Sequence, residues 1–368
     1  MKNQYVILTG SKNNAGDYLI KYRAKKLFSK LRPDRKVIDY DGWKPFTQKQ
    51  LAEINQSKAL ILLGGPALQN NMRENIYPMT PNLDDITVPI AMLGIGYKGV
   101  QGTWEETRSY RLDSPSLELL RRVNLSGVIS AVRDYHTLNV LQHYGFDNFI
   151  MAGCPALYSL DHLSSEFSPA EKIKKVCFSM GVSYCRSKSM DAQMRDLITQ
   201  LVAINDFRLE VLFHHSIDAS HSRQTEFARW LRENNILYRD ISGSENDLIK
   251  SYSDCDLHVG YRVHAHIYCC SISKPSVLLS EDGRGVALKD VIGGLSYKAY
   301  TRYSAGLFSK IAGRVGLCDV FTTSPRFADG VVSNIQYEIE NSYPRASLCR
   351  SAIDSHFSQM ERVISQLP

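Results

Sequence analysis

The apolar positions in the first half of the chain form short continuous runs, with amphipathic segments of helical spacing between them. Clear examples of the runs are YVILTG, ALILLGG and PIAMLGIG. A strand that is apolar on both faces is buried on both faces, which is typical of a parallel sheet covered by helices. The pattern therefore predicts an α/β domain with a parallel sheet over residues 1–165.

The same alternation restarts after a polar, charged stretch at 164–175, which we interpret as a linker. Further apolar runs such as KVCFSMGVS and PSVLLS predict a second Rossmann-like domain over residues 170–335. We expect the two domains to face each other across a cleft. Residues 340–368 have apolar positions at helical spacing and are predicted to form a helical extension that crosses between the domains.

Composition and charge limit the kinds of binding partner that we expect for this protein. The 368 residues are 43% hydrophobic and 22% charged, an ordinary globular balance, and the net charge of +6 is mild. No dense Lys/Arg tract is present, so nucleic acid is not an expected partner. The most basic segment, 21–36, predicts an amphipathic helix with a solvated basic face, and contact with an anionic membrane surface is the alternative.

No apolar run approaches the ~18 residues that span a bilayer, and no apolar leader is present at the start. We therefore expect a cytoplasmic protein, with a location at the inner face of the membrane as the alternative. The eight cysteines are scattered, without a CxxC pair or zinc-type spacing. They predict buried reduced thiols and no metal site.

Ligands of parallel α/β sheets bind beyond the carboxyl ends of the strands, so the residues that follow each strand are the candidates. GSKNNAGD follows the first strand and contains Asn14 and Asp17, with a plain turn capped by Asp17 as the alternative. Gly65 follows the third strand, where a glycine permits close approach of the backbone to a ligand. Arg133 follows a buried strand and forms either an anion clamp or a structural pair with Asp134.

In the second domain, His214 and His215 close a strand. A metal site would lack a third ligand at recognised spacing, so hydrogen bonding to a polar ligand is favoured. Arg262 and His264 lie in GYRVHAH, where a strand leads into a buried helix. Charged and polar groups there are costly to bury unless they pair with each other or receive an anionic ligand.

Asp282 and Arg284 are predicted to lie in a glycine-flanked loop after the next strand. We expect Arg133, Arg262 and Arg284 to converge on a small, multiply charged anion. His264 is the candidate for proton transfer near neutral pH.

The ordered set of motifs resembles the polysaccharide pyruvyl transferase family. Between Asn13 and Gly285 the chain carries NNAGD, LLGGPAL, GIG, SAVRD, GCPAL, FHHSID, GYRVHAH and SEDGRG. By this resemblance Arg133 matches the arginine of the family's S-x-x-R-D segment, and Arg262 and His264 match its R-x-H segment. Arg284 stands where members often carry lysine. An arginine there suits an anion contact but not proton transfer, because arginine does not deprotonate.

The resemblance implies two facing Rossmann-like domains similar to those of GT-B glycosyltransferases. It also implies transfer of pyruvate from phosphoenolpyruvate to two hydroxyls of a sugar, which forms a ketal and releases phosphate. Phosphoenolpyruvate is then the donor substrate, expected on the second domain, and no cofactor is needed. The acceptor, a surface-polysaccharide sugar or a lipid-linked precursor, is expected on the first domain, with Asn14 and Asp17 as hydroxyl partners.

Two other functions stay open at this point. A glycosyltransferase could use a nucleotide sugar on the same scaffold, with Glu281 or Asp282 on the ribose hydroxyls. A non-catalytic member of the family, which binds a sugar anion as a sensor or acts as an assembly partner in polysaccharide synthesis, is the second alternative. A dehydrogenase is disfavoured because no GxGxxG follows the first strand. The acceptor sugar, the bridged hydroxyls and homo-oligomerisation are not determined by the sequence.

Overall fold

The computed structural model describes residues 2–10, 15–185, 187–204, 207–218, 222–242, 244–302 and 321–368. The chain divides into two compact units. The first unit comprises Met1–Ser165, Asp290–Ile292 and Ser351–Pro368. The second comprises Glu166–Lys289 and Gly293–Arg350.

The first unit contains a six-stranded parallel sheet of order β2-β1-β3-β4-β5-β6. The strands are β1 (Gln4–Thr9), β2 (Lys36–Asp41), β3 (Ala59–Leu63), β4 (Ile90–Ile95), β5 (Ser130–Val132) and β6 (Phe149–Met151). Every residue of β1, β3 and β4 is buried. This is the burial that continuous apolar runs predict for the central strands of a parallel sheet.

The helices of the first unit are α1 (Ala15–Leu31), α2 (Gln48–Gln56), α3 (Met72–Asn75), α4 (Trp104–Arg108), α5 (Ser114–Asn124) and α6 (Tyr135–His143). The amphipathic helix predicted within 21–36 is the second half of α1, which ends at Leu31, before Pro33, whose ring cannot continue a helix. The short helices α3 and α4 were not predicted. Too few turns are present in them for an apolar period to be recognised.

The second unit contains a six-stranded parallel sheet of order β12-β11-β10-β7-β8-β9. The strands are β7 (Lys175–Ser179), β8 (Arg208–Phe213), β9 (Leu237–Asp240), β10 (Leu257–Gly260), β11 (Ser276–Ser280) and β12 (Leu295–Lys298). A small antiparallel pair is formed by β13 (Thr301–Arg302) and β14 (Phe321–Thr322). The sequence pattern missed β12, whose sequence LSYK is half polar.

The remaining helices are α7 (Lys188–Ala203), α8 (Ser222–Glu233), α9 (Glu245–Ser253), α10 (Val263–Ser271), α11 (Gly283–Ile292), α12 (Phe327–Glu340) and α13 (Ala346–Ser365). The prediction of a loop around Arg284 was wrong, because α11 begins at Gly283. Asp282 is the N-cap of this helix and its side chain accepts a hydrogen bond from the Arg284 backbone N–H. That cap allows a helix to start despite the glycines on either side of Arg284.

The last helix, α13, was predicted from the sequence, and its first residues, 346–350, group with the second unit. Its remaining residues, 351–365, group with the first unit. Over the described residues, none of the helices combines the length and the apolarity that a bilayer crossing demands.

Each sheet has a topological switch point, where the chain places the following strands on opposite sides of an interior strand. In the first sheet β1 lies between β2 and β3, and in the second sheet β7 lies between β8 and β10. The crevice beyond the carboxyl ends at a switch point is where parallel α/β sheets bind ligands. Ligand-binding residues are therefore expected at the carboxyl ends of β1 and β3 in the first sheet and of β7 and β10 in the second.

The end of β10 requires glycine. Gly260 has φ of 150°, and a Cβ on it would lie 2.5 Å from the backbone nitrogen and oxygen of Ser179. We predict that Gly260→Ala lowers the free energy of unfolding by about 3 kcal/mol, through backbone strain and a clash with main-chain atoms. Denaturant unfolding measures this change.

Gly330→Ala is the matched control in the same unit. Gly330 lies in α12, and a Cβ there would meet no atom within 4 Å. This substitution should leave stability unchanged or raise it by up to ~1 kcal/mol, since alanine favours helix over glycine. Equal stabilities of the two variants would contradict the requirement for glycine at the end of β10.

Candidate functional site

A cavity of about 190 Å³ lies at the switch point of the first sheet. Its lining includes Thr9 at the end of β1, Asp17 in the first turn of α1 and Gly65 after β3. Gly65 has φ of 76°, and a Cβ on it would approach Asp17 Oδ1 to 3.4 Å. The structure thus brings two predicted residues, Asp17 and Gly65, to one cavity, while the predicted Asn14 lies outside the described residues.

Two buried hydroxyls at this cavity lack hydrogen-bond partners among the described residues. They are Oγ1 of Thr9, which lines the cavity, and the phenol of Tyr77. A Cβ on the lining residue Gly10 would come within 3.4 Å of the Tyr77 hydroxyl oxygen. Burial, assisted by the negative charge of Asp17, raises the pKa of Tyr77, so the phenol keeps its proton.

Sequence reasoning did not identify Thr9 or Tyr77, because neither belongs to a motif. Lys98 and Gln69 also line the cavity, and the Lys98 ammonium donates to Gln69 Oε1 at 3.2 Å. The first unit therefore presents one carboxylate, two hydroxyls without partners, an amide and an ammonium beside apolar side chains.

Arg133 and Asp134 form a buried ion pair with a distance of 3.1 Å between Nε and Oδ2. Asp134 also caps α6 by accepting a hydrogen bond from the Thr137 backbone N–H at 2.7 Å. The glycine of GIG makes room for the pair, since a Cβ on Gly96 would lie 2.2 Å from the guanidinium carbon of Arg133. Nη2 of Arg133 is buried without a partner among the described residues, so the pair leaves one donor for a further acceptor.

In the second unit Arg262 is fixed by the switch point of the sheet. Its backbone N–H donates to Oγ of Ser179, the last residue of β7, at 3.1 Å, and it is the N-cap of α10. Its Nε is buried and has no hydrogen-bond partner in the described part of the chain. Burial lowers the pKa of Arg262, and the nearby positive charge of Arg284 lowers it further. The negative charge of Glu281 acts in the opposite direction and raises this pKa. A buried guanidinium donor with no acceptor is costly unless a ligand supplies one.

The predicted histidines lie close to Arg262. His264 is in the first turn of α10 and is 9% exposed. Burial depresses the pKa of His214 well below its ordinary value, and the charges of Arg262, His215 and His264 depress it further. His214 is therefore neutral near pH 7, and its Nε2 lies 2.6 Å from the hydroxyl of Tyr252.

The two residues that follow β11 are held by contacts within the unit. Glu281 accepts hydrogen bonds from the backbone N–H groups of Val182 and Ser183, both at 2.8 Å to Oε1. Arg284 and Asp282 form a forked ion pair, with a shortest distance of 2.7 Å between Nη2 and Oδ2. Carboxylates thus balance part of the positive charge near Arg262, and an anion bound by Arg284 would share the guanidinium with Asp282.

The second histidine of GYRVHAH, His266, has a structural role. His266 Nδ1 and His258 Nδ1 both lie 2.7 Å from Oγ of Ser276, and His258 Nε2 lies 2.8 Å from Oγ of Ser179. Burial lowers the pKa of His266 to about 3, so this histidine is neutral. The chain of hydrogen bonds joins β7, β10 and α10 beneath Arg262, which fixes the helix that carries His264.

Taken together, the second unit presents guanidinium groups, a buried imidazole and the N-terminus of α10 at one switch point. Such a set binds an anion and can transfer a proton to or from it. Among the described residues no group of three or more His, Cys, Asp or Glu side chains is placed to hold a metal ion.

Comparison with solved structures reveals similar folds. UDP-GlcNAc 2-epimerase from Neisseria meningitidis, bound to UDP-GlcNAc, matches with a TM-score of 0.55 and 11% identity over 99% of this chain and 98% of that chain. UDP-GlcNAc 2-epimerase from Methanocaldococcus jannaschii has a TM-score of 0.48 and 11% identity over 92% of this chain and 100% of that chain. Anabaena HepE, in complex with UDP and glucose, has a TM-score of 0.47 and 11% identity over 100% of this chain and 98% of that chain.

The likeness to the Neisseria enzyme is one of fold, and it agrees with two Rossmann-like units of the GT-B kind. A search of curated protein sequences finds no match. The family model for polysaccharide pyruvyl transferase matches residues 14–283, a span that includes the ends of β3, β7 and β10 and the segments of Arg133, Arg262 and His264. The chain therefore belongs to the polysaccharide pyruvyl transferase family.

Proposed function

We propose that this transferase moves a pyruvyl group from phosphoenolpyruvate to two hydroxyls of a sugar in a surface polysaccharide or its precursor. The observation that carries the proposal is the buried Nε of Arg262, which has no partner among the described residues and lies on the same helix start as His264. Family membership supports the reaction class. The donor and the roles of individual residues are parts of the proposal.

Phosphoenolpyruvate suits the second unit because it carries a carboxylate and a phosphate on three carbons. The planar fork of Arg262 can bind two oxygens of one such group, and the N-terminus of α10 adds backbone N–H donors. Arg284 contributes by sharing its guanidinium between Asp282 and the donor. Arg133, in the first unit, keeps the anion-binding role that the family motif implies, with Nη2 as the available donor.

The chemistry that these groups would support balances as follows. His264 as imidazolium gives a proton to the methylene carbon of phosphoenolpyruvate, which becomes a methyl group while the adjacent carbon becomes cationic. A sugar hydroxyl attacks that carbon and loses its proton. The bond from the carbon to the phosphate oxygen then breaks, inorganic phosphate leaves, and a second hydroxyl attacks the same carbon to close the ketal. Two hydroxyl protons enter the products, one on the methyl group and one on the phosphate.

His264 is a better candidate for proton transfer than the other basic groups nearby. His214 has a strongly depressed pKa and its Nε2 is engaged by Tyr252, so it is suited to a neutral hydrogen bond with the substrate. Arg284 does not deprotonate near neutral pH. General acid–base catalysis contributes about 10²–10⁴-fold, so positioning of the hydroxyl against the enol carbon must supply the rest.

The likeness to an epimerase bound to UDP-GlcNAc favours a nucleotide sugar as the second candidate ligand. In that function Glu281 or Asp282 would bind the ribose hydroxyls. Glu281 is already used by the backbone of 182–183 and Asp282 by Arg284, so both contacts would have to be exchanged. This observation favours phosphoenolpyruvate over a nucleotide sugar.

Thermal-shift titration distinguishes the two ligands. We predict that phosphoenolpyruvate raises Tm and that UDP and UDP-sugars do not, because a ligand that binds the folded state alone stabilises it, by about 2.7 kcal/mol at 100 times Kd. Incubation with phosphoenolpyruvate and a panel of saccharide acceptors should then release phosphate. Stabilisation by UDP without any response to phosphoenolpyruvate would favour the glycosyltransferase.

Arg262→Lys tests the fork of the guanidinium. The ammonium keeps the charge but cannot make two parallel hydrogen bonds, so the Kd for phosphoenolpyruvate should rise about 10- to 100-fold, as expected for loss of charged hydrogen bonds. Arg223→Lys, at an exposed position of α8, is the control and should leave this Kd unchanged. Equal Kd values for Arg262→Lys and the unmodified protein would show that the Arg262 guanidinium does not bind phosphoenolpyruvate.

His264→Ala tests proton transfer. We predict that kcat falls about 10²–10⁴-fold while the Kd for phosphoenolpyruvate changes only a few-fold, because the imidazole acts on the transition state. His143→Ala, at an exposed position of α6, is the control and should retain full turnover. An unchanged kcat in His264→Ala would exclude the acid–base assignment.

A further inference from the structure

The cavity at the switch point of the first sheet is too small for an oligosaccharide. Its volume of about 190 Å³ lies below the ~300–1,000 Å³ typical of clefts that hold drug-sized ligands. The lining combines apolar side chains, those of Ile20, Leu63 and Ile76, with the polar residues Thr9 and Asp17. A pyranose ring likewise combines an apolar face of C–H groups with a rim of hydroxyls.

The charges of the lining argue against an anion in this cavity. Asp17 is a carboxylate, and no guanidinium is among the lining residues in the described part of the chain. Among the described lining residues the ammonium is that of Lys98, which is on an exposed residue and donates to Gln69. An anionic sugar would therefore meet a like charge inside the cavity, whereas an uncharged hydroxyl can donate to the Asp17 carboxylate.

The hydroxyls of Thr9 and Tyr77 supply the second, independent sign of a ligand. Thr9 is 5% exposed and Tyr77 is 0% exposed, and neither hydroxyl has a partner among the described residues. Buried polar groups without partners are rare, since each costs free energy that a bound hydroxyl would recover. Thr9 lines the cavity, and the Tyr77 hydroxyl lies behind the lining residue Gly10, 3.4 Å from the place that a Cβ on Gly10 would take.

We infer that this cavity takes one uncharged pyranose ring of the acceptor, and that the hydroxyls of Thr9 and Tyr77 select it by hydrogen bonds. The inference rests on the proposed function, because the sugar is an acceptor only in that reaction. It adds to that function the class of the sugar and two residues that determine specificity. Asp17 accepts hydrogen bonds from the sugar hydroxyls at the same cavity. The rest of a longer acceptor stays outside, because the cavity has room for a single ring.

Tyr77→Phe and Thr9→Val are sharp probes because each removes a hydroxyl and keeps the shape of the side chain. Neither change breaks a hydrogen bond of the described residues, so Tm should stay the same or rise. The Kd for the preferred sugar should nevertheless increase about 2- to 10-fold in each variant, the factor expected for one neutral hydrogen bond.

Tyr40→Phe is the matched control on the same sheet. The Tyr40 hydroxyl donates to Glu53 Oε2, so its removal should lower Tm while sugar binding is unchanged. The inference thus predicts opposite outcomes for the same chemical change at two positions. Tyr77→Phe should weaken sugar binding and leave Tm unchanged or higher, whereas Tyr40→Phe should lower Tm and leave sugar binding unchanged.

The probes are the methyl glycosides of galactose, glucose and mannose and of the corresponding uronic acids, measured by saturation-transfer NMR with and without phosphoenolpyruvate. At least one neutral glycoside should bind the unmodified protein more tightly than its uronate, and bind Tyr77→Phe more weakly. Binding that is equal in the unmodified protein, Tyr77→Phe and Thr9→Val would overturn the inference. So would a preference for uronates, or no binding of any monosaccharide under either condition.

The same experiment separates this inference from the proposed function. If phosphoenolpyruvate stabilises the protein but no glycoside binds, the assignment of the cavity fails and the proposed donor remains. If a neutral glycoside binds in a Tyr77-dependent manner but phosphoenolpyruvate has no effect on Tm and no phosphate is released, the proposed function fails and the cavity remains a sugar site.

Discussion

The hydrogen bond from the Arg262 backbone N–H to Ser179 Oγ is the contact on which the site of the second unit depends. It forms because Gly260 has no side chain and lets the end of β10 lie against the end of β7. The chain then turns into α10 with Arg262 as its N-cap. A residue with a Cβ at the end of β10 would displace this turn, and with it the guanidinium and His264. The absence of a side chain at Gly260 therefore fixes the position of the Arg262 guanidinium and the His264 imidazole, which we propose to bind and protonate the donor.

Charge balance explains how the protein tolerates buried arginines before a ligand arrives. Arg133 is paired with Asp134, and Arg284 with Asp282, whereas Nε of Arg262 is without an acceptor among the described residues. The Arg133–Asp134 pair is buried and the Arg284–Asp282 pair is half-buried, and in each pair the attraction of the partners offsets part of the desolvation of the charges. An anion that enters beside Arg262 adds the acceptor that is lacking there. In the function that we propose, the free-energy cost of this donor without a partner is recovered as affinity for the ligand.

The sequence predicted the sheets, the main helices and the placement of candidate residues after the strands, because apolar runs and glycine turns are local signals. It did not predict α11, because the glycines around Arg284 resemble a loop, and the Asp282 cap that overcomes them is a single side-chain contact. It also missed Thr9 and Tyr77. Thr9 lines the cavity and Tyr77 lies behind Gly10 only after β1 pairs with β3 and residues 76–77 pack against Gly10, and such long-range contacts leave no period in the sequence.

The central claim is that the protein breaks the carbon–oxygen bond of phosphoenolpyruvate while it builds a ketal on a sugar. Phosphoenolpyruvate labelled with ¹⁸O at the bridging oxygen tests this most directly, with mass spectrometry of both products. The account predicts that the label leaves in the phosphate and that the acceptor gains one unlabelled pyruvyl group for each phosphate released. Label retained with the pyruvyl carbons, as in cleavage of the phosphorus–oxygen bond, would contradict it.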